Sequence, residues 1–122
     1  MKIALQMYSI RQVISDEKSL IEALKAVKAM GYDGVEFAGY FGADPDVLKK
    51  ALDEIGLEVV GSHDAYALLK DNVDGAIDYA KRIGNKNITL PGAPIGTLEE
   101  IEETCRVIKA AKACLLYTSR CV

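Results

Sequence analysis

Met30-Gly31-Tyr32-Asp33-Gly34-Val35-Glu36-Phe37 joins a helical pattern to a strand pattern within one short stretch. Ahead of it, Leu20, Ala23, Leu24, Val27 and Met30 recur at helical spacing and form one apolar stripe. Gly31 suits the left-handed position just past a helix end. Two residues later the chain alternates, with Val35 and Phe37 on one side of a strand and Glu36 on the other. The same joint recurs at Ile55-Gly56-Leu57-Glu58-Val59-Val60 and at Ile83-Gly84-Asn85-Lys86-Asn87-Ile88-Thr89-Leu90. Each repeat is about the length of one βα unit, so the repetition lies in architecture rather than in sequence.

These joints predict strands near 2–7, 34–38, 57–62 and 87–91, and helices near 16–30, 44–55, 72–83 and 97–113. The second helix opens with Asp44-Pro45, a capping Asp followed by Pro at the first helical position, and its stripe is Val47, Leu48, Ala51, Leu52 and Ile55. The fourth opens with Thr97-Leu98-Glu99-Glu100, a capping-box pattern. Strands alternating with helices imply an α/β fold with a parallel sheet. Spacing alone does not separate an open doubly wound sheet from part of a closed barrel.

The chain has 122 residues, 50% of them hydrophobic, which fits one globular unit rather than a disordered segment. A complete (β/α)8 barrel takes about 250 residues, so this length matches roughly half of one. The net charge of −3 argues against a nucleic-acid binder, which needs a basic face for phosphates. Met1-Lys2 runs into Ile3-Ala4-Leu5, too short a run for a signal core, and no apolar run approaches a bilayer span. A cytoplasmic location is therefore expected. Cys105, Cys114 and Cys121 have no metal-ligand spacing, and Cys105 is expected to be packed or half-packed in a helix. The segment 114–122, Cys-Leu-Leu-Tyr-Thr-Ser-Arg-Cys-Val, lacks helical periodicity and resembles translated library-adapter sequence. It is expected to be a non-native read-through tail on a unit spanning 1–113, with a short native strand as the alternative.

In parallel α/β folds, chemistry collects at the C-terminal ends of strands. Gln6, Tyr8, Ser9 and Arg11 follow the first strand, Glu36 and Tyr40 mark the second, His63, Asp64 and Tyr66 the third, and Pro91-Gly92 the fourth. Glu36 is the most informative, because a carboxylate inside an apolar strand is costly unless partnered. Gln6, between Leu5 and Met7, has the same character. Both side chains aimed into one lumen would suit a small polar ligand; alternatively Glu36 pairs with a Lys or Arg at the rim. His63, the sole histidine, could bind ligand or metal or transfer a proton. Its face is undecided, since Val59-Val60-Gly61-Ser62 does not alternate. Tyr8 and Tyr66 could meet a sugar or simply pack, and Pro91-Gly92 reads as a turn.

Together, Leu5-Gln6-Met7-Tyr8-Ser9-Ile10-Arg11, Gly31 to Tyr40, Gly56 to His63 and Leu90-Pro91-Gly92 resemble the sugar phosphate isomerase/epimerase family of xylose-isomerase-like TIM barrels. The resemblance covers residues 1 to about 113 and implies the N-terminal half, four βα units, of a (β/α)8 barrel. For an intact member it implies a divalent cation (Mn, Mg, Co or Zn) holding an open-chain sugar or cyclitol. One carboxylate then removes the proton beside the carbonyl to give an enediolate, and a second group returns it. Most metal ligands and acid/base glutamates of that family lie on later strands. What carries over here is a substrate-facing wall of Glu36 and His63, with Gln6 and Tyr8, and His63 as a possible metal ligand. With the later strands missing, an inactive fragment is expected, and its open edges should make it associate, stay partly molten or aggregate unless two copies close a pseudo-barrel. Two other readings stay open: an apurinic-site endonuclease-like barrel, which would want more histidines and a basic groove, and a non-enzymatic α/β binding module.

Overall fold

The structure, a computed structural model, describes the backbone of residues 1–119 and the side chains of residues 1–113. Strand β1 (Ala4–Gln6) leads into a 3₁₀ segment (Met7–Val13), then helix α1 (Glu17–Ala29) and strand β2 (Gly34–Ala38). Helix α2 (Pro45–Ile55), strand β3 (Glu58–His63), helices α3 (Tyr66–Asp71) and α4 (Val73–Arg82), strand β4 (Ile88–Thr89) and helix α5 (Leu98–Ser119) follow.

The four strands form one sheet in the order β1-β2-β3-β4, and every neighbouring pair is parallel. Among the described residues no reversal of strand order occurs, so this sheet lacks the switch point of a doubly wound fold. Successive helices pack against one another, α1 on α2, α2 on α4 and α4 on α5. They therefore share one face of the sheet, as in one arc of a (β/α)8 barrel. The other face is the lumen.

Local chemistry explains most of the joints. Gly31, Gly56 and Gly84 all have positive φ, near 94°, 82° and 78°, and each turns a helix end towards the next strand. Asp44 caps α2 by accepting from the backbone N–H of Asp46 and Val47, with Pro45 next in line. At α5, Glu100 accepts from the N–H of Gly96 and Thr97 while the Thr97 hydroxyl accepts from Glu100 N–H. An unforeseen reciprocal cap joins Asp16 and Ser19 at α1.

The main core lies between sheet and helices. Val35 and Phe37 are fully buried there with Leu20, Leu24, Val27, Leu48 and Leu52. A second cluster joins Leu69 of α3, Ala76 and Ile77 of α4 and Ala111 of α5.

Several expectations need correction. The first strand ends at Gln6 rather than residue 7, and residues 7–13 wind into the 3₁₀ segment. The fourth strand is only Ile88–Thr89. A separate short helix, α3, precedes the one expected at 72–83. Met30 and Val47 are exposed rather than part of their stripes, because Met30 lies past the end of α1 and Val47 sits in the first turn of α2 on its outer side. Cys105 is exposed, facing away from the second core cluster. The backbone of α5 continues helical to Ser119, which excludes a strand over that stretch. The side chains of the expected tail, 114–122, lie outside the described residues. Among the described residues no helix is long and apolar enough to cross a membrane.

Candidate functional site

Strand register alone brings the polar residues together. Gln6 of β1 lies directly beside Glu36 of β2, and Glu36 lies beside Gly61 of β3. Because Val35 and Phe37 take the helix-facing side, Glu36 takes the lumen. Residues in register on parallel strands share a face, so Gln6 and Gly61 point there too, and so does His63, two residues beyond Gly61.

The side chains meet. Gln6 Nε2 donates to Glu36 Oε2 at 3.2 Å, and His63 Nε2 lies 3.2 Å from Glu36 Oε1. The Gln6 amide nitrogen also stands 3.4 Å and 3.5 Å from the two imidazole nitrogens. Glu36 is thus held on both oxygens, by an amide on one and an imidazole on the other. A carboxylate only accepts, so the Gln6 nitrogen rather than its oxygen belongs against it. The Glu36 and His63 side chains are each 28% exposed. That shelter strengthens their interaction. The partner is not the Lys or Arg at the rim that was one alternative for Glu36.

His63 reaches the lumen through an irregularity that the sequence only hinted at. Val35 pairs with Val59 while Glu36 pairs with Gly61, so Val60 is an extra residue and forms a β-bulge. Gly61 has a reason to be glycine: a Cβ there would stand 3.6 Å from Glu36 Oε1 and 3.3 Å from Asn87 O. The broken alternation at 59–62, with a glycine inside it, was the one sequence signal for this bulge.

Tyr8 lies on the 3₁₀ segment, past the same strand end, but does not join the three-residue cluster. It is exposed, with the Arg11 guanidinium 3.8 Å above its ring and Arg11 Nη1 donating to its carbonyl oxygen at 2.8 Å. Tyr66 opens α3, half-buried and also apart from the cluster. Pro91 and Gly92 form the expected turn.

A second polar group, of which the sequence singled out only Asp64, lies behind β3 on the helix-facing side. Ser62, Asp64 and Asn85 are buried there, and Asn85 Nδ2 donates to Ser62 Oγ at 2.9 Å. Burial pushes the Asp64 carboxyl above its ordinary range, partly opposed by the Ser62 hydroxyl and by His63. Tyr40 projects into the same region, stacked on Tyr79 at 4.2 Å between ring centroids. Its hydroxyl is buried without a hydrogen bond of its own, beside the Ser62–Asn85 pair, and burial raises it to about 12.

For a divalent cation, Glu36 Oε1 and His63 Nε2 are donors of the right kind, and their spacing would let both face one ion. No group of three or more His, Cys, Asp or Glu side chains is placed to hold a metal among the described residues. The pair could therefore supply part of a ligand set.

Sequential parallel strands, helices on one face and a polar cluster at the strand tops define the class: one half of a (β/α)8 barrel with its lumen wall furnished. Particular solved structures share the fold. The AP endonuclease, family 2, from Brucella melitensis superposes with a TM-score of 0.72 at 20% identity, covering 96% of this chain and 52% of that one. A sugar phosphate isomerase/epimerase from Parabacteroides distasonis gives 0.69, also at 20% identity, covering 95% and 50%. The chain thus spans about half the length of the structures it resembles, and at this identity the likeness is one of fold. No family model matches the chain, and the search of curated proteins returns no match.

Proposed function

We propose that the chain is the substrate-facing half of a sugar isomerase/epimerase-type barrel. Gln6, Glu36 and His63 would bind the carbonyl and hydroxyl oxygens of a small sugar or cyclitol. The observation that carries this reading is their convergence within 3.2–3.5 Å on the lumen side. A sugar's vicinal oxygens both donate and accept, and this cluster offers an amide donor, a carboxylate acceptor and an imidazole that can do either. Glu36 could take up a proton beside a carbonyl, with His63 steadying its charge. Tyr8 and Arg11, past the end of β1, would border the mouth. A divalent cation bound there would polarise the substrate carbonyl, and completing its ligand set calls for donors besides Glu36 and His63.

An endonuclease reading is the runner-up, since one of the similar structures carries that name. The net charge of −3 and a single histidine weigh against it, because gripping a phosphate backbone takes clustered Lys and Arg.

The test is NMR titration of the 122-residue chain with fructose, with myo-inositol and with a duplex containing one abasic site, each with and without Mg²⁺. Saturable shifts of the His63 ring and Gln6 side-chain amide with either polyol, abolished by Glu36→Ala, are expected. Shifts with the duplex alone would overturn the sugar reading in favour of the runner-up. Silence with all three ligands would remove both. The chain by itself should show no isomerase turnover with any divalent metal, and robust turnover would contradict the half-site assignment.

A further inference from the structure

Val59 packs against the helix-facing core, yet His63, four residues on, lies in the lumen. In an unbroken strand, positions an even number apart share a face, so this arrangement exists only because Val60 is extra. A bulge drops a backbone group out of the ladder, and a dropped carbonyl needs another partner.

Asn87 supplies it. Its Nδ2 donates to the Val60 carbonyl at 2.9 Å. Asn87 is itself fixed from two directions: its N–H donates to Asn85 Oδ1 at 3.1 Å, and its carbonyl accepts from Ser62 N–H at 2.9 Å. Behind it, buried Asn85 Nδ2 donates to Ser62 Oγ. Two asparagines spaced i, i+2 on the chain entering β4 thus grip the bulge on both sides, at Val60 and at Ser62. Gly61, in register with Glu36, lies between the two gripped residues, and His63 follows directly after them.

We propose that Asn87, backed by Asn85, is a positioning residue of the lumen site: by holding the Val60 bulge it sets which face of β3 His63 presents. The inference takes its functional meaning from the sugar-wall reading, but its test uses no ligand. Failure of one is therefore distinguishable from failure of the other.

His63 is the only histidine, so selective isotope labelling of histidine gives one imidazole signal in the full chain. The expected signature is nuclear Overhauser cross-peaks from the ring to the Glu36 and Gln6 side chains. Asn87→Ala should lose most of that intensity and gain cross-peaks to Tyr40, which lies on the helix side of β3. Deleting Val60 in the Asn87→Ala background removes the extra residue that the clamp exists to hold. That double variant should restore the Glu36 cross-peaks, a rescue that a generally destabilised fold would not show. Should Asn87→Ala retain the original cross-peaks in a folded chain, the clamp is overturned. Where Asn87→Ala fails to fold, the double variant decides: a folded chain with the ring on Glu36 supports the proposal, and an unfolded one refutes it. Missing Glu36 cross-peaks in the unaltered chain would overturn the clamp and the lumen cluster together.

Discussion

Asp64 shows how two faces of one strand can carry opposite electrostatic assignments. It follows His63 directly but shares the helix-facing side with Ser62, where burial raises its carboxyl above the usual value. A raised acid binds its proton more tightly in the folded chain than in the unfolded one. Its favourable contribution is complete below the ordinary value of 3.8 and is lost as pH climbs through the raised value. At neutral pH the charged Asp64 therefore costs stability. Asp64→Asn, nearly isosteric and uncharged, should raise the thermal midpoint at pH 7. The gain should shrink on acidification and disappear below pH 3.8. Thermal melts of both chains across that range check the point. A gain independent of pH would mean that ionisation of Asp64 is not its source.

Between elements, the closest constraint is the β2–β3 contact. A Cβ on Gly34 would stand 2.7 Å from the Glu58 carbonyl oxygen and 3.2 Å from Val60 Cγ1. Backbone blocks the first of these, so the strands would have to part. Gly34→Ala should therefore cost about 1–3 kcal/mol in urea denaturation, as overpacking does. Gly92→Ala, with nothing within 4 Å of the added methyl, should stay within about 0.5 kcal/mol. Equal stability of the two variants would contradict the close approach. The glycine joints at 31, 56 and 84 were legible in the sequence because a helix stop is written locally, in one residue and its neighbours. The caps at Asp44 and Thr97 were legible for the same reason. Gln6 and Glu36 could be placed because clean alternation surrounds them. The face of His63 could not, since it depends on Val60 being held by Asn87, which lies on the approach to another strand. The 3₁₀ segment and α3 are too short for periodicity to register. Nothing in the sequence announced that Arg11 would claim the ring of Tyr8.

For the molecule as a whole, the decisive feature is an arc with two free ends. Among the described residues β1 and β4 each have one neighbouring strand, so the outer side of each offers backbone groups to another strand. Apolar surface lies near those ends as well: Ile3 is exposed beside β1, and Leu98, Ile101 and Ile108 are exposed on α5, the last helix. A second copy related by a two-fold axis along the barrel axis would set β4 of each chain beside β1 of the other with strands parallel. Eight strands then close, and both Gln6–Glu36–His63 clusters share one lumen. Sedimentation equilibrium should give a concentration-dependent mass above the 13.2 kDa of one chain. Ile3→Lys places a charge at the β1 edge, the usual means by which proteins keep such edges apart, and should shift the equilibrium towards the single chain. Because Ile3 is half exposed and makes none of the contacts of the polar cluster, the substitution should leave the His63–Glu36 contact intact. A chain that sediments as a monomer at high concentration, with or without the lysine, would show that the arc is stable with its edges open.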